Sequence, residues 1–295
     1  MTENRKQQLS QQVQNWLFEI PSRTQSHFVR KTGISSAYVS QIVNGKWDPS
    51  YPSVATWRIV EDFFTEPDHI QSVNYLNITN ACRKAQENAS RLAIDGYTGA
   101  GKSYALQKYA RNNSGAYIII CRSTMTNKSF LQETCKRLGA KATGNNYELE
   151  RAIIEKVQNS KEPLLIIFDE VEYLKVTALN SLKTIMQELK DKAGFVVSGI
   201  IKEWLMKMAK RNKPGMPQLL RRLGHSWVKM EEVHKSDVIS ICKQKQITDK
   251  NVVQWLYNNT GEYDSLMTYV GDLSKVAEEQ NVEVTVELCV DLFND

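Results

Sequence analysis

Residues 96–103 read Gly-Tyr-Thr-Gly-Ala-Gly-Lys-Ser, which is the G-x-x-x-x-G-K-S spacing of a phosphate-binding loop. Such a loop needs a buried strand before it and a helix after it, because its backbone N–H groups and the helix N-terminus point at the same phosphates. Residues 91–95 have the pattern of a short strand. Leu106 and Ala110 lie about one turn apart in a predicted helix over 104–111. The loop therefore predicts an α/β fold with a nucleotide site.

The predicted nucleotide-binding residues are those of the loop and the residue after it, with ATP as the expected ligand: Gly96, Tyr97, Thr98, Gly99, Ala100, Gly101, Lys102, Ser103 and Tyr104. The glycines let the backbone adopt positive φ and approach the phosphates closely. Lys102 supplies the charge that reaches the β- and γ-phosphate oxygens, and is therefore also a predicted catalytic residue. Ser103 supplies a hydroxyl for Mg²⁺. The alternative, a chance match on a glycine-rich turn, is disfavoured by both flanks.

A second motif lies downstream, where the apolar run 164–168 ends at Asp169 and Glu170. A short continuous apolar run is typical of a strand buried in a parallel sheet, and open α/β sheets bind ligands at the carboxyl ends of such strands. Asp169 is therefore expected to hold Mg²⁺ together with Ser103. Glu170 is expected to be the general base that activates the attacking water, although it could be only an acidic residue at a helix entry. The two motifs together predict a magnesium-dependent ATPase.

Composition limits the other possibilities. The 295 residues can hold two domains, and 41% hydrophobic with 24% charged residues is typical of a soluble globular protein. No apolar run is long enough to cross a membrane, and the first twelve residues are too polar for a signal peptide. The five cysteines are far apart and form no C-x-x-C pair, so neither disulfides nor zinc are indicated. A cytoplasmic protein without a membrane partner is expected.

The N-terminal region, residues 1–66, has the pattern of a DNA-binding helix-turn-helix. A short helix over 24–31 is followed by Thr-Gly-Ile and a second helix over 35–43, which Asn44 and Gly45 end. This stretch resembles the helix-turn-helix of phage repressors and Cro proteins. The resemblance implies that the second helix enters the major groove of DNA by its N-terminal end.

Three residues of the second helix are the candidate DNA contacts: Ser36, Tyr38 and Gln41. Gln41 could pair with adenine, whereas Ser36 and Tyr38 could equally contact phosphates. The candidates on this helix include no Arg or Lys, so strong guanine recognition is not expected. A helical hairpin that binds another protein would have the same packing and is the alternative.

Strand and helix patterns alternate after the loop, which predicts a parallel sheet covered on both faces. The predicted strands are 116–121, 164–169, 195–199 and 226–230, and the predicted helices include 128–138, 147–158 and 178–190.

This alternation resembles the AAA+ ATPases. In that family a small polar residue at the end of the fourth strand senses the γ-phosphate, and Ser198 stands there. An arginine finger precedes the fifth strand and reaches the nucleotide of a neighbouring subunit, which makes Arg221 or Arg222 the candidate. Both arginines could instead belong only to a basic surface. The resemblance implies a five-stranded core over 67–232 and a small helical lid over 233–295.

The whole arrangement is similar to the ATPases of phage DNA transposition. That resemblance implies ATP-bound homo-oligomers, as helical filaments or rings, on double-stranded DNA with little sequence preference, which deliver target DNA to a transposase. It also implies DNA contacts after the second and third strands, at Arg122, Thr124, Lys128 and Lys175, although these residues could be ordinary solvated surface. Asp264 departs from the AAA+ pattern, since many lids carry a nucleotide-sensing Arg there.

Two other functions remain open at this point. A helicase loader or the helper ATPase of an insertion sequence would keep the ATPase and change its partner. A DNA-binding regulator that uses the nucleotide only as a switch belongs to a different class, and Glu170 with the paired arginines disfavours it because they predict turnover.

Overall fold

The computed structural model describes residues 2–19, 24–47, 52–64, 72–211, 213–223, 227–280 and 282–293. They form a helical N-terminal region, a central α/β core and a helical C-terminal region. The predicted boundary between residues 66 and 67 lies outside the described residues. None of the described helices has both the length and the apolar character that a membrane crossing requires.

The described part of the N-terminal region consists of α1 Glu3–Glu19, α2 Gln25–Thr32, α3 Ser36–Val43 and α4 Val54–Phe64. Helices α2 and α3 begin one residue later than the sequence predicts. Gly33, at φ 74°, ends α2 in the left-handed region, and the Ser35 hydroxyl caps α3 by accepting from the Tyr38 N–H at 3.3 Å. Phe28, Trp57 and their neighbours form an aromatic core. Helix α1 was not predicted from the sequence.

The core alternates helices and strands in the order α5 Val73–Glu87, β1 Arg91–Asp95, α6 Lys102–Asn112, β2 Ala116–Ile120, α7 Asn127–Leu138, α8 Asn146–Gln158, β3 Leu164–Asp169, α9 Val176–Glu188, β4 Ala193–Gly199, α10 Lys202–Lys210, α11 Met216–Leu223 and β5 Trp227–Lys229. A short 3-10 helix, Val171–Tyr173, follows β3. The described strands form one parallel sheet in the order β2-β3-β4-β1-β5, which confirms the predicted parallel five-stranded sheet.

Helices cover both faces of the sheet. Every residue of β3 and β4 is buried, which explains why these strands are continuous apolar runs. Helix α5 packs so closely on β4 that a Cβ on Gly194 would lie 2.2 Å from the Ala85 carbonyl oxygen. This contact places β4 under α5 and fixes the start of the strand two residues before the predicted one.

The C-terminal region consists of α12 Lys235–Gln244, α13 Lys250–Asn259, α14 Tyr263–Gln280 and α15 Val286–Phe293, around an apolar cluster of its own. Its contact with the core is made at the N-terminus of α14, where the Asp264 N–H donates to the Gly99 carbonyl at 3.2 Å. The strand order places β1 beside β4, and β4 beside β3, so the loop after β1 and the acids after β3 face one cleft.

Candidate nucleotide site

The phosphate loop spans the turn from β1 into α6, as the sequence predicts. Gly99 and Gly101 have φ values of 81° and 79°, in the left-handed region that residues with a Cβ rarely adopt. Gly101 is the N-cap of α6, so the helix begins at Lys102 and its unpaired N–H groups face the loop. The loop and the N-terminus of α6 together form an anion-binding site.

Lys102 is folded back onto the loop. Its Nζ donates to the carbonyl oxygens of Gly96 and Tyr97, both at 2.6 Å. Burial lowers the pKa of Lys102, and nearby carboxylates, chiefly Asp169 and then Glu172, act against that shift. A triphosphate in the loop would give this charge an anionic partner in place of two carbonyls.

Asp169 is 1% exposed at the carboxyl end of β3. Its Oδ1 accepts from the Glu170 N–H at 3.1 Å, whereas its Oδ2 is buried without a hydrogen-bond partner among the described residues. A buried carboxylate oxygen without a partner, in the same cleft as Ser103, suits a hard cation that takes oxygen ligands. The residues therefore fit the predicted Mg²⁺ site.

Glu170 stands in an unusual backbone conformation. Its φ and ψ are 59° and 41°, which places a residue with a long side chain in the left-handed region. Such strain is tolerated where the surroundings fix it, and it is frequent at functional sites. Burial raises the pKa of Glu170, and the negative charges of Asp169 and Glu172 raise it further, which favours proton uptake.

Ser198 lies at the end of β4, paired in register with Ile94 of β1. It is fully buried, and its Oγ has no hydrogen-bond partner in the described chain. A buried hydroxyl without a partner beside the loop is consistent with the predicted contact to the γ-phosphate, which stays a prediction.

Two further acids, which were not predicted from the sequence, lie at the same edge of the sheet. The Asp95 Oδ1 accepts from the N–H groups of Ile201 and Lys202, both at 2.8 Å, and so caps α10. The Glu172 Oε1 accepts from the Ile200 N–H at 3.1 Å, and its Oε2 is buried without a partner in the described part of the chain. Asp95 could have been predicted as a residue of the site, because it lies directly before the loop in the sequence.

The cleft is a cavity of about 510 Å³ between the core and the C-terminal helices. Beyond the phosphate loop its wall is largely apolar, formed by Tyr75, Tyr104, Ile241, Tyr263 and Met267. The rings of Tyr75 and Tyr104 are 6.3 Å apart, a separation within the range of aromatic contacts. The cavity therefore combines a polar end for phosphates with an apolar end for a base.

Arg221 and Arg222 lie far from the loop of their own chain. Arg222 donates to the Gln187 side chain near the end of α9. Burial lowers the pKa of Arg222, and the charge of Arg91, at the start of β1, lowers it further. Strand β1 separates Arg91 from the loop by about 13 Å, since a strand rises about 3.3 Å per residue. Arg221 is exposed. Neither arginine lines the nucleotide cleft that its own chain forms.

The predicted DNA contacts are distributed over two surfaces. Arg122, Thr124, Lys128 and Lys175 are exposed near the carboxyl edge of the sheet, and the charge of Arg122 acts on Glu170. In α3, Ser36 is exposed, Tyr38 is half-buried against the N-terminal core, and the Gln41 Oε1 is buried without a partner among the described residues. Gln41 would therefore have to turn outward to contact a base.

These features define the class of protein. The sheet order, the phosphate loop and the acids after β3 are those of an AAA+ ATPase, and the family described as "AAA domain" matches residues 85–207. The ORC1 protein of Aeropyrum pernix, solved in complex with DNA, has a similar fold, with a TM-score of 0.57, 14% identity, and 78% of this chain and 67% of that chain covered. The replication initiator DnaA, bound to AMPPCP and single-stranded DNA, matches with a TM-score of 0.50, 16% identity, and 75% and 67% covered. The chain contains an AAA domain and is an ATPase.

The sequence relationship is more specific. The chain is 24% identical, over 176 residues, to the Mu-like prophage FluMu DNA transposition protein B of Haemophilus influenzae. The match covers 56% of this chain and 60% of that protein, so it leaves two fifths of the relative unmatched. This similarity confirms the resemblance to the phage transposition ATPases.

Proposed function

We propose that this chain is an ATP-dependent, largely sequence-nonspecific double-stranded DNA-binding ATPase that assembles on DNA as filaments and delivers target DNA to a transposase. The proposal rests mainly on one observation: the residues expected to bind and hydrolyse ATP lie at two opposite edges of the same sheet. The loop, Asp169 and Glu170 lie at the carboxyl edge, whereas Arg221 and Arg222 lie at the amino edge. A complete site therefore needs two copies of the chain.

The chemistry follows from the positions of the side chains. Lys102 and the loop N–H groups hold the β- and γ-phosphates, and Ser103 with Asp169 would hold Mg²⁺, which neutralises charge on the phosphate oxygens when bound. Glu170 takes a proton from water as the water oxygen bonds to the γ-phosphorus and the bond to the bridging oxygen breaks. ADP leaves with that electron pair. Arg221 of a neighbouring copy would stabilise the charge that develops on the γ-phosphate.

Arg221 is the better candidate for the finger. Arg222 is already bound to Gln187, while Arg221 is exposed and makes no hydrogen bond within the described chain. An exposed arginine can enter a neighbour's cleft without breaking an existing contact.

DNA binding is supported by the relative named for DNA transposition and by two basic or polar surfaces. The exposed Arg122, Lys128 and Lys175 would contact backbone phosphates, which gives salt-dependent binding without sequence preference. Helices α2 and α3 would act as a helix-turn-helix and add contacts in the major groove.

Electron microscopy and electrophoretic mobility shifts on a duplex of arbitrary sequence test the assembly. We expect continuous filaments with ATP and none with ADP, and Lys102→Ala is the negative control. Isolated monomers on DNA at saturating ATP would contradict the proposal. ATP-dependent binding without hydrolysis would instead favour a nucleotide-switched regulator.

The role of a transposase is tested separately, with any transposase whose gene lies beside the gene for this chain. We expect it to stimulate ATP turnover by the DNA-bound chain and to insert its substrate into the bound duplex. A neighbouring helicase gene, with turnover stimulated by that helicase, would favour a helicase loader.

A further inference from the structure

The segment that leads from β5 to the C-terminal helices contacts the phosphate loop. The Met230 N–H donates to the Asp95 carbonyl at 3.1 Å. The Met230 side chain packs on Gly96, where a Cβ would lie 2.4 Å from the Met230 Cγ. The Tyr97 hydroxyl donates to the Glu231 carbonyl at 2.9 Å. The start of the loop is therefore held against the segment from which the C-terminal helices begin.

Asn74, in the first turn of α5, holds the same segment. The residue is buried, with 1% of its surface exposed. The Asn74 Oδ1 accepts from the Glu231 N–H at 2.9 Å, and the Asn74 Nδ2 donates to the Glu231 carbonyl at 2.9 Å. A carboxamide suits this pair of hydrogen bonds, because it carries a donor and an acceptor side by side. Asn74 thus binds both main-chain groups of Glu231.

The same side chain also reaches the middle of the phosphate loop. The Asn74 Nδ2 donates to the Ala100 carbonyl at 3.4 Å, and Ala100 is buried. Because a peptide unit is planar and trans, its carbonyl and its N–H point in opposite directions. An Ala100 carbonyl that faces Asn74 therefore leaves the Gly101 N–H directed away from Asn74, and Gly101 lines the nucleotide cleft. The N–H groups of such a loop bind the phosphates, so this orientation bears on the affinity for ATP.

The other contact between the loop and the C-terminal helices is unfavourable for a phosphate. The Asp264 N–H donates to the Gly99 carbonyl at 3.2 Å, and a Cβ on Gly99 would lie 2.7 Å from the Glu262 Oε2. The carboxylates of Glu262 and Asp264 would repel the charge of a triphosphate in the loop. The hydrogen bonds of Asn74 are instead made to uncharged main-chain groups. They can hold the loop and the C-terminal region together when ATP is bound.

We propose that Asn74 is a positioning residue for ATP binding, which orients the phosphate loop at Ala100 and ties it to Glu231, at the entry to the C-terminal helices. ATP that orders the loop would then also order the start of the C-terminal region, and Asn74 need not touch the nucleotide. The inference requires only nucleotide binding by the loop and is independent of the DNA binding proposed above.

Isothermal titration calorimetry with ATP and Mg²⁺ tests the role in binding. Asn74→Leu is similar in size and uncharged, and it removes the three hydrogen bonds of the side chain. Its dissociation constant for ATP should rise about tenfold, the scale of one net hydrogen bond. Turnover at saturating ATP should stay within about twofold of the wild type, because Asn74 acts on binding and not on the reacting atoms.

The matched control is Asn80→Leu, which makes the same change at an exposed position of α5, where Asn80 accepts from Arg83. This variant should bind ATP like the wild type. Equal ATP affinity in Asn74→Leu and the wild type would overturn the proposal. A fall in turnover at saturating ATP with unchanged affinity would overturn it as well, because the effect would then lie on the chemical step.

Hydrogen–deuterium exchange separates this role from a purely structural one. In the wild type, saturating ATP should slow amide exchange both in the loop and in residues 230–244. In Asn74→Leu, saturating ATP should still slow exchange in the loop, and the slowing in residues 230–244 should be lost. A lower unfolding temperature with unchanged ATP affinity and unchanged nucleotide-dependent exchange would show that Asn74 only stabilises the fold.

Tyr97→Phe tests the same link without a change in α5. It removes the hydroxyl that donates to Glu231 and keeps the ring. The dissociation constant for ATP should rise by about two- to threefold, because the hydrogen bonds of Asn74 remain, and the slowing of exchange in residues 230–244 should be reduced. If Asn74→Leu does not fold, Tyr97→Phe decides. Wild-type affinity and wild-type exchange in Tyr97→Phe would then overturn the proposal.

Discussion

The two edges of the sheet differ in charge. The carboxyl edge gathers Asp95, Asp169, Glu170 and Glu172 around Lys102, and the charges of all four acids act on this lysine. The amino edge instead carries arginines. Burial lowers the pKa of Arg222, and the charges of Arg91 and Arg221 lower it further. The carboxyl edge therefore supplies the acids and Lys102 to the nucleotide cleft, and the amino edge supplies the arginines.

This difference indicates how copies of the chain would assemble. When two different edges of the same molecule meet, the contact is head-to-tail and repeats into a ring or an open filament. Hydrolysis would then depend on assembly, because the acids and Lys102 come from one copy and the arginine from the next. The following predictions test the carboxyl edge and the amino edge separately.

The largest effect is expected for Lys102→Ala. Loss of this charge removes the contact with the β- and γ-phosphates, so ATP binding should fall below detection in isothermal titration calorimetry and DNA assembly should be lost with it. Lys141→Ala, at an exposed position of the core, is the control and should bind ATP like the wild type. Retained ATP affinity in Lys102→Ala would show that the loop does not bind the phosphates.

Arg221→Ala should lower turnover about a thousandfold or more while ATP binding is retained, because an arginine finger acts on the transition state. Arg222→Ala should have a smaller effect on turnover, since Arg222 binds Gln187. Steady-state phosphate release measures both. Mixing Lys102→Ala with Arg221→Ala subunits should restore part of the activity, because some interfaces then contain an intact loop and an intact arginine. No recovery would argue against a finger in trans.

Glu170→Gln should lower turnover by about a hundred- to ten-thousandfold and trap the ATP-bound assembly on DNA. The carboxylate must be deprotonated to accept a proton, and its pKa is raised by burial and by Asp169. Wild-type turnover should therefore fall with decreasing pH at values above the ordinary range of glutamate. Single-turnover rates across pH measure this, and equal turnover in variant and wild type would refute the base assignment.

The same pKa shift predicts a change in stability. Because the pKa of Glu170 is higher in the folded chain than in the unfolded chain, the folded state binds the proton more tightly, and the resulting stability is lost as pH rises through the folded pKa. Glu170→Gln removes the ionisation, so its unfolding temperature should exceed that of the wild type at pH 7. The difference should shrink in acid, and thermal unfolding at several pH values checks it.

The smallest effect is expected for Asp264→Asn, at the lid contact with the loop. The Asp264 N–H donates to the Gly99 carbonyl, and the neighbouring carboxylate repels a triphosphate in the loop. Its removal should tighten ATP binding by about fivefold, the scale of one charge interaction near the surface. Asp272→Asn, exposed further along α14, is the matched control and should leave the affinity unchanged.

The sequence predicted the parts of the molecule whose spacing is set by chemistry. The loop, β1 and the acids after β3 lie where their motifs place them, because phosphate binding requires a strand, a turn and a helix in fixed order. Helix α5 was not predicted, because its contact with β4 depends on Gly194 and Ala85, which are far apart in the chain. Glu172 was not predicted for a similar reason, since Ile200, whose N–H donates to Glu172, follows a different strand. Tertiary contacts of this kind leave no local pattern.

Asp95 has a further consequence for communication between subunits. It precedes Gly96 directly, and its carboxylate caps α10, which packs against α11, the helix that carries Arg221. A displacement of the loop by a bound phosphate would therefore tilt α10 and α11 together. The nucleotide bound to one subunit would in this way change the position of the arginine in the cleft of the next subunit. ATP hydrolysis along the assembly would then be sequential, and the subunits would not hydrolyse ATP independently.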